Sequence, residues 1–509
     1  MARHPKRRAL LENNETLNRY IATAMGPLVD IVIFCVLIGN GQSLRSSHMA
    51  SFAVAMALNY LLKVRSTIVA GKRTRDWKLH CHLLAVACMA LFLRGGVLGL
   101  LSLGWGWPAQ VSILFAVIAG WVVTARGYSY ALSADAGGAS WRALAIGLIA
   151  YAFILRLVYL GSVELLPEEA YYWNYSRHLD IGYLDHPPMV AWLIGLGTAA
   201  FGHSPFGVRI GAVCCGMIAS VFTYRLTRNL FGETTALTAL VLAQTLPFFF
   251  LSGLLMTPDA PLTAAWAASL YYLERALVAG RSAAWWRLGL SMGIGMISKY
   301  SIGLLVPVTA AFMLWDRQSR RWWRRWEPYG AGLLALAVFS PVIVWNAQHH
   351  WASFEFQTLR RLGEVPKFAL HKLIASALVL ITPTGVLAVA LALMERKPAR
   401  AGTGAGAAIH DDGEAHGDGG DASRGWLFIR MAVLLPLAVF VIFSLRHEVK
   451  LDWTGAPWLA ALPIMALGLS ASRAKLRGIY AWLRAAWVPT LVTMLLIYGA
   501  GLHYLVLGL

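Results

Sequence analysis

Residues suited to proton transfer and charge recognition concentrate in one polar stretch, Leu166–Trp192, which reads LPEEAYYWNYSRHLDIGYLDHPPMVAW. The adjacent acids Glu168 and Glu169 open it, and Asp185 and His186 stand near its end. A carboxylate held beside a nucleophilic hydroxyl can take its proton. Two further ionisable residues lie outside this stretch in apolar surroundings. Asp259 sits in Thr257-Pro258-Asp259-Ala260-Pro261, between two apolar runs and with no adjacent cation. Lys299 sits in Ser298-Lys299-Tyr300, a short turn between two apolar segments. An ionisable residue at a membrane boundary is costly and marks function by default. Carboxylates and a buried lysine at one membrane level suit a proton-accepting base and an anionic lipid head group. The plain alternative is that the acids only solvate a surface loop, which Tyr171, Tyr172, Trp173 and Tyr183 anchor at the interface.

Composition dictates what carries these residues. Of the 509 residues, 58% are hydrophobic and 14% charged, against about 25% charged in ordinary globular chains. Mean hydropathy is +0.59. Soluble globular, disordered and coiled-coil chains are excluded, and the long continuous apolar runs exclude an alternating-strand barrel. The expectation is an all-α polytopic membrane protein of about 15 transmembrane helices. These read near 19–38, 48–64, 79–100, 108–125, 142–163, 206–226, 234–252, 260–279, 286–298, 302–316, 328–346, 369–393, 426–444, 454–470 and 484–508, with 286–316 short enough to be one re-entrant unit. The first run is read as a membrane helix rather than a removed signal, because no small-residue cleavage site closes it.

The formal net charge of +19 is assigned to cytoplasmic loops and anionic lipid rather than to nucleic acid. With the N-terminus inside, four basic clusters fall on the cytoplasmic face: Lys63, Arg65, Lys72, Arg73 and Arg75; Arg225 and Arg228; Arg317, Arg320, Arg321, Arg324 and Arg325; and Arg473, Lys475 and Arg477. The opposite face receives Glu164, Glu168, Glu169, Asp180, Asp185, Asp259, Glu355, Glu364, Glu448 and Asp452. It also receives His178, His186, His349, His350, Arg360, Arg361 and Lys450. The chemistry is therefore expected on the outer, periplasmic face of a bacterial inner membrane. Cys35, Cys81, Cys88, Cys214 and Cys215 show no metal spacing and read as packing residues. The Gly-, Ala-, Asp- and His-rich segment 399–425 reads as a flexible cytoplasmic loop, in which His410 and His416 could bind metal but read better as part of a solvated linker. The basic stretch Arg126–Arg142 divides a four-span part, residues 1–130, from a part spanning 140–509 that holds nearly all the candidate chemistry.

The ordered motifs of 140–509 resemble the GT-C membrane glycosyltransferases, nearest the bacterial branch related to protein O-mannosyltransferases and to the lipid A aminoarabinose transferase. An acid pair, Ala, two aromatics and Trp are matched by Glu168-Glu169-Ala170-Tyr171-Tyr172-Trp173, and the following element by Gly182-Tyr183-Leu184-Asp185-His186-Pro187-Pro188. Thr257-Pro258-Asp259-Ala260-Pro261-Leu262 matches the second acidic loop and Ser298-Lys299-Tyr300 the Thr/Ser-Lys element. Ser340-Pro341, Trp345-Asn346-Ala347-Gln348-His349 and Trp351-Ala352-Ser353-Phe354 match a later external segment. The usual first acid is Asp and here is Glu168, which leaves open whether Glu168 or Glu169 is the base.

The resemblance implies a GT-C fold with interfacial helices in the first external loop. It implies sugar transfer from a polyprenyl-phosphate donor to a lipid, glycan or protein acceptor. Glu168, Glu169 and Asp259 would be catalytic, and Lys299, His186 and Arg360 would meet the donor phosphate. Asp185 stands at a position that in some relatives helps hold a divalent ion, although many members of the superfamily need none. Residues 1–130 resemble a GtrA-like four-helix module, through Arg19-Tyr20, Gly26-Pro27-Leu28-Val29-Asp30 and Asn59-Tyr60-Leu61-Leu62. Such modules are associated with handling polyprenyl-linked sugars. Asp30 within a span is either functional or paired with a polar neighbour. A lipid-sugar flippase without transfer activity, and a partner subunit with a dead site, are the competing readings.

Overall fold

The computed structural model describes residues 25–69, 77–135, 140–358, 366–395, 419–470 and 478–508. Arg360, Arg361, Glu364, most of the 399–425 segment and the basic residues at 72–75 and 473–477 lie outside them. The described chain is helical. It runs through α1 (Met25–Gly39), α2 (Leu44–Val69), α3 (Trp77–Gly99), α4 (Ala109–Asp135), α5 (Trp141–Tyr159), α6 (Pro167–Ser176), α7 (Met189–Phe201), α8 (Pro205–Phe231), α9 (Glu233–Thr245) and α10 (Pro247–Ser252). It continues through α11 (Asp259–Leu273), α12 (Ala284–Met296), α13 (Leu305–Trp315), α14 (Glu327–Gln348), α15 (Ala352–Gln357), α16 (Leu370–Met394), α17 (Gly419–Ser444), α18 (Leu462–Ser470) and α19 (Ile479–Leu507).

Eight helices among the described residues are long and apolar enough to cross a membrane: Trp77–Gly104, Ala109–Ala131, Trp141–Tyr159, Pro205–Phe231, Glu327–Gln348, Leu370–Met394, Ser423–Ser444 and Ile479–Leu507. The expected count of about fifteen is not reached by length and composition, and the shortfall has local causes. The run 234–252 is not one helix, because Leu246 takes an extended backbone and Pro247 opens α10. Arg156 fills the break, donating Nε to the Phe250 carbonyl at 3.0 Å and Nη2 to the Gln244 carbonyl at 2.9 Å. It thereby satisfies carbonyls that a helix end leaves without partners. The run 260–279 ends in a π turn, Glu274–Val278. The run 454–470 enters through two short 3-10 segments, Leu451–Thr454 and Ala456–Ala461, before α18. Residues Ala456–Leu467 are buried throughout, the condition under which irregular backbone is tolerated at membrane depth. The pair around 286–316 forms α12 and α13, joined by a turn at Lys299 and the 3-10 segment Tyr300–Leu304.

Contacts divide the chain into two compact units. One comprises Met1–Leu144, Leu157–Val163 and Leu495–Leu509, and the other Ala145–Arg156 and Glu164–Met494. The end of α19 thus belongs with the N-terminal helices. In the first unit Phe34, Leu98, Ile113, Ala116 and Val117 form an apolar core. Asp30 accepts from Arg94 Nη2 at 2.7 Å, and Arg94 also donates to Ser51 Oγ at 2.9 Å and to His48. His48 in turn meets His503 of α19, Nε2 to Nε2, at 3.0 Å. Asp30 is therefore paired, with Arg94 only 1% exposed.

In the second unit α17 begins at Gly419, inside the stretch expected to be a loop. Arg424 near its start bonds Asp316 Oδ2 at 2.9 Å and the carbonyls of Leu277 and Val278. The loop reading therefore fails for residues 419–425. All five cysteines are free.

A buried arginine without its counter-ion is strongly destabilising, about 3–5 kcal/mol when one partner is removed. Asp30→Leu should accordingly lower the thermal midpoint in detergent sharply. The double variant Asp30→Leu/Arg94→Met should recover most of the loss, read by unfolding monitored through tryptophan fluorescence.

Candidate functional site

The polar stretch after α5 folds into α6 and an irregular segment that leads to α7. Pro167 occupies the first turn of α6, where its missing N–H costs nothing. Glu169 then reaches back to accept from the Leu166 N–H at 3.1 Å, a capping contact. Its carboxylate does more. Arg209 of α8 donates Nε to Oε1 at 2.9 Å and Nη2 to Oε2 at 2.6 Å, and the Met256 N–H donates to Oε1 at 3.0 Å. Arg209 Nη2 also donates to the Glu164 carbonyl at 2.8 Å. Glu169 is 0% exposed and Arg209 1%. This two-pronged pair ties α6, α8 and the loop before α11 into one body.

Glu168, one residue earlier on the same helix turn, is exposed. The register follows from helix geometry, since successive residues project about 100° apart. The carboxylates left open by the sequence are thus physically unlike: one is locked in the protein and the other faces out.

Three carboxylates gather around Tyr172, which is 8% exposed. Burial, and then the charges of Asp185, Glu168 and Asp259, push its hydroxyl pKa far above the usual range. The His186 ring packs edge-on against Tyr172 with centroids 5.7 Å apart. Asp185 accepts from the Tyr175 hydroxyl at 2.7 Å, and Tyr175 and Tyr171 share a 2.5 Å hydrogen bond. Tyr175 stacks on Tyr183 at 4.2 Å, and Tyr183 donates to the carbonyls of Tyr175 and His178. These aromatics are the frame of the site.

Lys299 stands at the turn after α12. Its Nζ donates to Asp259 Oδ1 at 2.9 Å, Asp259 Oδ2 at 3.1 Å and Asp452 Oδ2 at 2.8 Å. Burial raises the Asp259 pKa, the Lys299 ammonium only partly offsets this, and the result is about 6. Burial also pushes Asp452 upward, but there the charge and hydrogen bond of Lys299 win and hold it at about 2. The Lys299 pKa is raised: burial acts to lower it, and the two aspartates more than offset that. The ammonium expected to meet a phosphate is therefore already shared between two carboxylates, which together leave the cluster one net negative charge near neutral pH.

The structure brings Glu168, Asp185, Asp259 and His186 around Tyr172, with Lys299 attached through Asp259. It assigns Glu169 to Arg209. Arg360 lies outside the described residues. Asp180, although exposed, accepts from Trp345 Nε1 at 3.0 Å. Gly182 lies under the same indole, and a Cβ there would come within 2.5 Å of Trp345. His349 stacks on Trp345 at 4.1 Å. The residues around Asp185 do not form a divalent-ion shell. Among the described residues no group of three or more His, Cys, Asp or Glu side chains is placed to hold a metal ion. Asp185 Oδ1 is bonded by Tyr175.

Two participants escape sequence reading. Arg209 sits five residues into an apparent span and carries no motif, although an arginine within an apolar run is itself a signal of a buried partner. Sequence puts Asp452 on the outer face without a role, and only the fold brings it to Lys299.

Residues 185–345 match the family model described as dolichyl-phosphate-mannose-protein mannosyltransferase, and residues 20–134 match that described as GtrA/DPMS, transmembrane domain. Both resemblances read from the motifs are thus found on this chain. The acid pair lies just ahead of the first matched range. The undecaprenyl phosphate-alpha-4-amino-4-deoxy-L-arabinose arabinosyl transferase of Pseudomonas aeruginosa is 33% identical over 188 residues, which cover 35% of this chain and 33% of that protein. Lipid A galacturonosyltransferase RgtD of Rhizobium johnstonii is 28% identical over 213 residues, 40% of this chain and 43% of its own. The chain thus spans well under half the length of these curated relatives. Among solved structures, ArnT from Cupriavidus metallidurans in the apo state is similar with a TM-score of 0.51 at 16% identity, covering 72% of this chain and 76% of that one. The same protein bound to undecaprenyl phosphate gives a TM-score of 0.50 at 16% identity, over 72% and 77% of the two chains. This likeness shows the GT-C fold.

Removing Arg209 would strand a fully buried carboxylate. Arg209→Met should destabilise the protein by about 3–5 kcal/mol, whereas Glu168→Gln at the exposed neighbour should stay within about 0.5 kcal/mol of the parent. Thermal unfolding of the two purified variants in detergent checks the contrast.

Proposed function

We propose that the chain transfers a sugar from a polyprenyl-phosphate donor to an acceptor hydroxyl at the outer, periplasmic face of the inner membrane, with Glu168 as the base. The observation that carries this reading is the asymmetry of the acid pair. Glu169 is committed to Arg209, and Glu168 is exposed beside the tyrosine on which Asp185 and Asp259 also converge. The names of the relatives favour an undecaprenyl-phosphate sugar as donor and a lipid A-type glycolipid as acceptor. A transporter without transfer activity has no use for an exposed base beside a lysine cluster on one face only.

In the proposed step the acceptor oxygen attacks the anomeric carbon while Glu168 takes its proton. The bond from that carbon to the phosphate oxygen breaks, and the polyprenyl phosphate leaves with the electron pair. Lys299 meets the phosphate by exchanging the more exposed Asp452 for a phosphate oxygen, with Asp259 holding the ammonium in place. His186 lies at the same end of the site and contributes a further ring nitrogen. The GtrA-like module of residues 1–130 presents or moves the donor lipid. The GT-C domain of 140–509 carries the transfer, and the about fifteen expected spans include broken helices packed within it.

The test is transfer of labelled sugar from a polyprenyl-phosphate donor to cell-envelope glycolipid by purified protein. Glu168→Gln should slow turnover by about 10²- to 10⁴-fold, the usual worth of a general base. Turnover equal to the parent removes Glu168 from that role.

Lys299→Ala should weaken donor binding by roughly 10- to 150-fold. The donor phosphodiester keeps its charge across the working range, so any pH effect on binding comes from the protein. As pH falls through about 6, Asp259 takes up a proton and the cluster loses its net negative charge. Donor affinity should therefore rise roughly 10-fold between about pH 7.5 and about pH 5.5. The rise should vanish in Asp259→Asn, as read by equilibrium binding of fluorescent donor lipid.

A further inference from the structure

The residues that end α14 and open α15 take no part in the proposed step, yet they are held in a costly conformation. His350 and Trp351, at the corner between the two helices, have φ of +53° and +61°. Residues other than glycine rarely adopt this left-handed region, and such strain persists only where the surroundings over-determine it. Asn346 supplies the constraint. Its carbonyl accepts from the Trp351 N–H at 2.7 Å, and its Oδ1 from the N–H groups of Ser353 at 3.1 Å and Phe354 at 3.3 Å. Its Nδ2 donates back to the Val342 carbonyl at 2.9 Å. Asn346 and Ser353 are both fully buried.

The bonds that leave this corner go to the segments that carry the site. Trp345 donates to Asp180, and Gln357 of α15 donates Nε2 to the Asp185 carbonyl. On the other side the Ser353 hydroxyl meets that of Tyr300 at 3.0 Å, and the Asn346 amide is a second hydrogen-bonding neighbour of the Tyr300 hydroxyl. Tyr300 follows Lys299 directly. Its ring packs edge-on against Phe339 of α14 and Phe354 of α15, with centroids 5.9 and 5.7 Å away. The Met189 N–H at the start of α7 donates to the Ile297 carbonyl at 3.0 Å, which ties the same turn to the chain that follows His186.

A helix end needs only local partners for its last carbonyls. This one reaches two distant segments, and each of them bears charged residues of the site. Lys299 has an extended backbone, φ −160° and ψ 133°, between α12 and the 3-10 segment that follows, so neither helix fixes its direction. Its ammonium must nevertheless meet three carboxylate oxygens at 2.8–3.1 Å. Charge-assisted hydrogen bonds weaken as distance and angle depart from such values, and a functional side chain needs placement within about 0.5 Å. The residue next to Lys299 carries the anchoring bond.

We propose that Tyr300 is a positioning residue for Lys299: the corner organised by Asn346 sets, through the Ser353 hydroxyl, the turn from which the ammonium reaches Asp259 and Asp452. The inference rests on the proposed transfer only for what the ammonium is placed to meet. The placement itself is read without donor or acceptor.

Tyr300→Phe keeps the ring and removes the hydroxyl, and Ser353→Ala removes its partner. The Asp259 carboxyl reports the placement, since burial raises its pKa and the Lys299 ammonium holds the rise to about 6. Asp452 also faces it, and Glu168 and Asp185 join it around Tyr172; neither substitution removes any of these groups. Infrared difference spectra of the full-length protein in detergent are followed with pH, and the carboxyl band missing from Asp259→Asn is assigned to Asp259. Each single variant should raise the midpoint of that band by roughly 0.5–1 on the pH scale, as the ammonium moves off. Tyr300→Phe/Ser353→Ala should move it no further than Tyr300→Phe alone, because the two hydroxyls form one link. Raised midpoints in a protein that transfers no sugar would leave the positioning intact and sink the transfer reading alone. A midpoint equal to the parent's in both single variants, or additive shifts in the double, overturns the proposal. A role confined to packing gives the first of these results, with a lowered thermal midpoint and the Asp259 band in place.

Discussion

The buried pair of Glu169 and Arg209 is the constraint on which the geometry of the site depends. α6 is a ten-residue helix, too short to be stable alone in water. It is held by one carboxylate that accepts four donors, two from Arg209 and two from backbone N–H groups. Because Glu169 must point inward, helix geometry sends Glu168 elsewhere, and Tyr172 and Tyr175, three and six residues on, fall toward Asp185 and His186. One ion pair thus orients the aromatic frame and separates a buried, paired acid from an exposed one.

Similar local solutions recur. Asp30 with Arg94 in the N-terminal unit, Asp316 with Arg424, and Lys299 with Asp259 each place an ion pair where water is scarce, and Asp452 joins the last from a more exposed position. Arg156 does the same with carbonyls, bridging the break at Pro247. In low dielectric an unmatched charge is far more costly than a matched one. The apolar chain therefore accommodates polar residues in sets. The lysine cluster differs from the rest by carrying an excess carboxylate. A structural pair neutralises itself, whereas this arrangement leaves charge that a ligand or a proton can change.

Much of the site was legible because ionisable residues stand out in an apolar sequence. Glu168, Glu169, Asp185, Asp259 and Lys299 were readable as chemistry from type and position, and their order along the chain carried the resemblance to GT-C enzymes. What sequence could not divide was the acid pair, since neighbouring residues differ only by a helical rotation whose origin is set by Arg209, forty residues away. Asp452 was equally hidden, because its partner Lys299 lies in a distant turn. The helix count was the weakest expectation. Hydropathy registers burial without distinguishing a straight span from the broken α9 and α10 or from the 3-10 segments before α18. The loop expected over 399–425 ended too late for the same reason: composition registers Asp421, Ser423 and Arg424 as polar but not the anchoring of Arg424 on Asp316.

The proposed transfer depends on a division of labour between two adjacent glutamates. Chemical rescue tests it directly, with Glu168→Ala and Glu169→Ala assayed for sugar transfer in rising formate. A small carboxylate diffusing into the space left by an exposed base can accept the acceptor proton, but it cannot rebuild a buried pair that positions a helix. Formate-dependent recovery of transfer in Glu168→Ala, with none in Glu169→Ala, is the predicted result. Recovery in Glu169→Ala, with Glu168→Ala unaffected by formate, would contradict it.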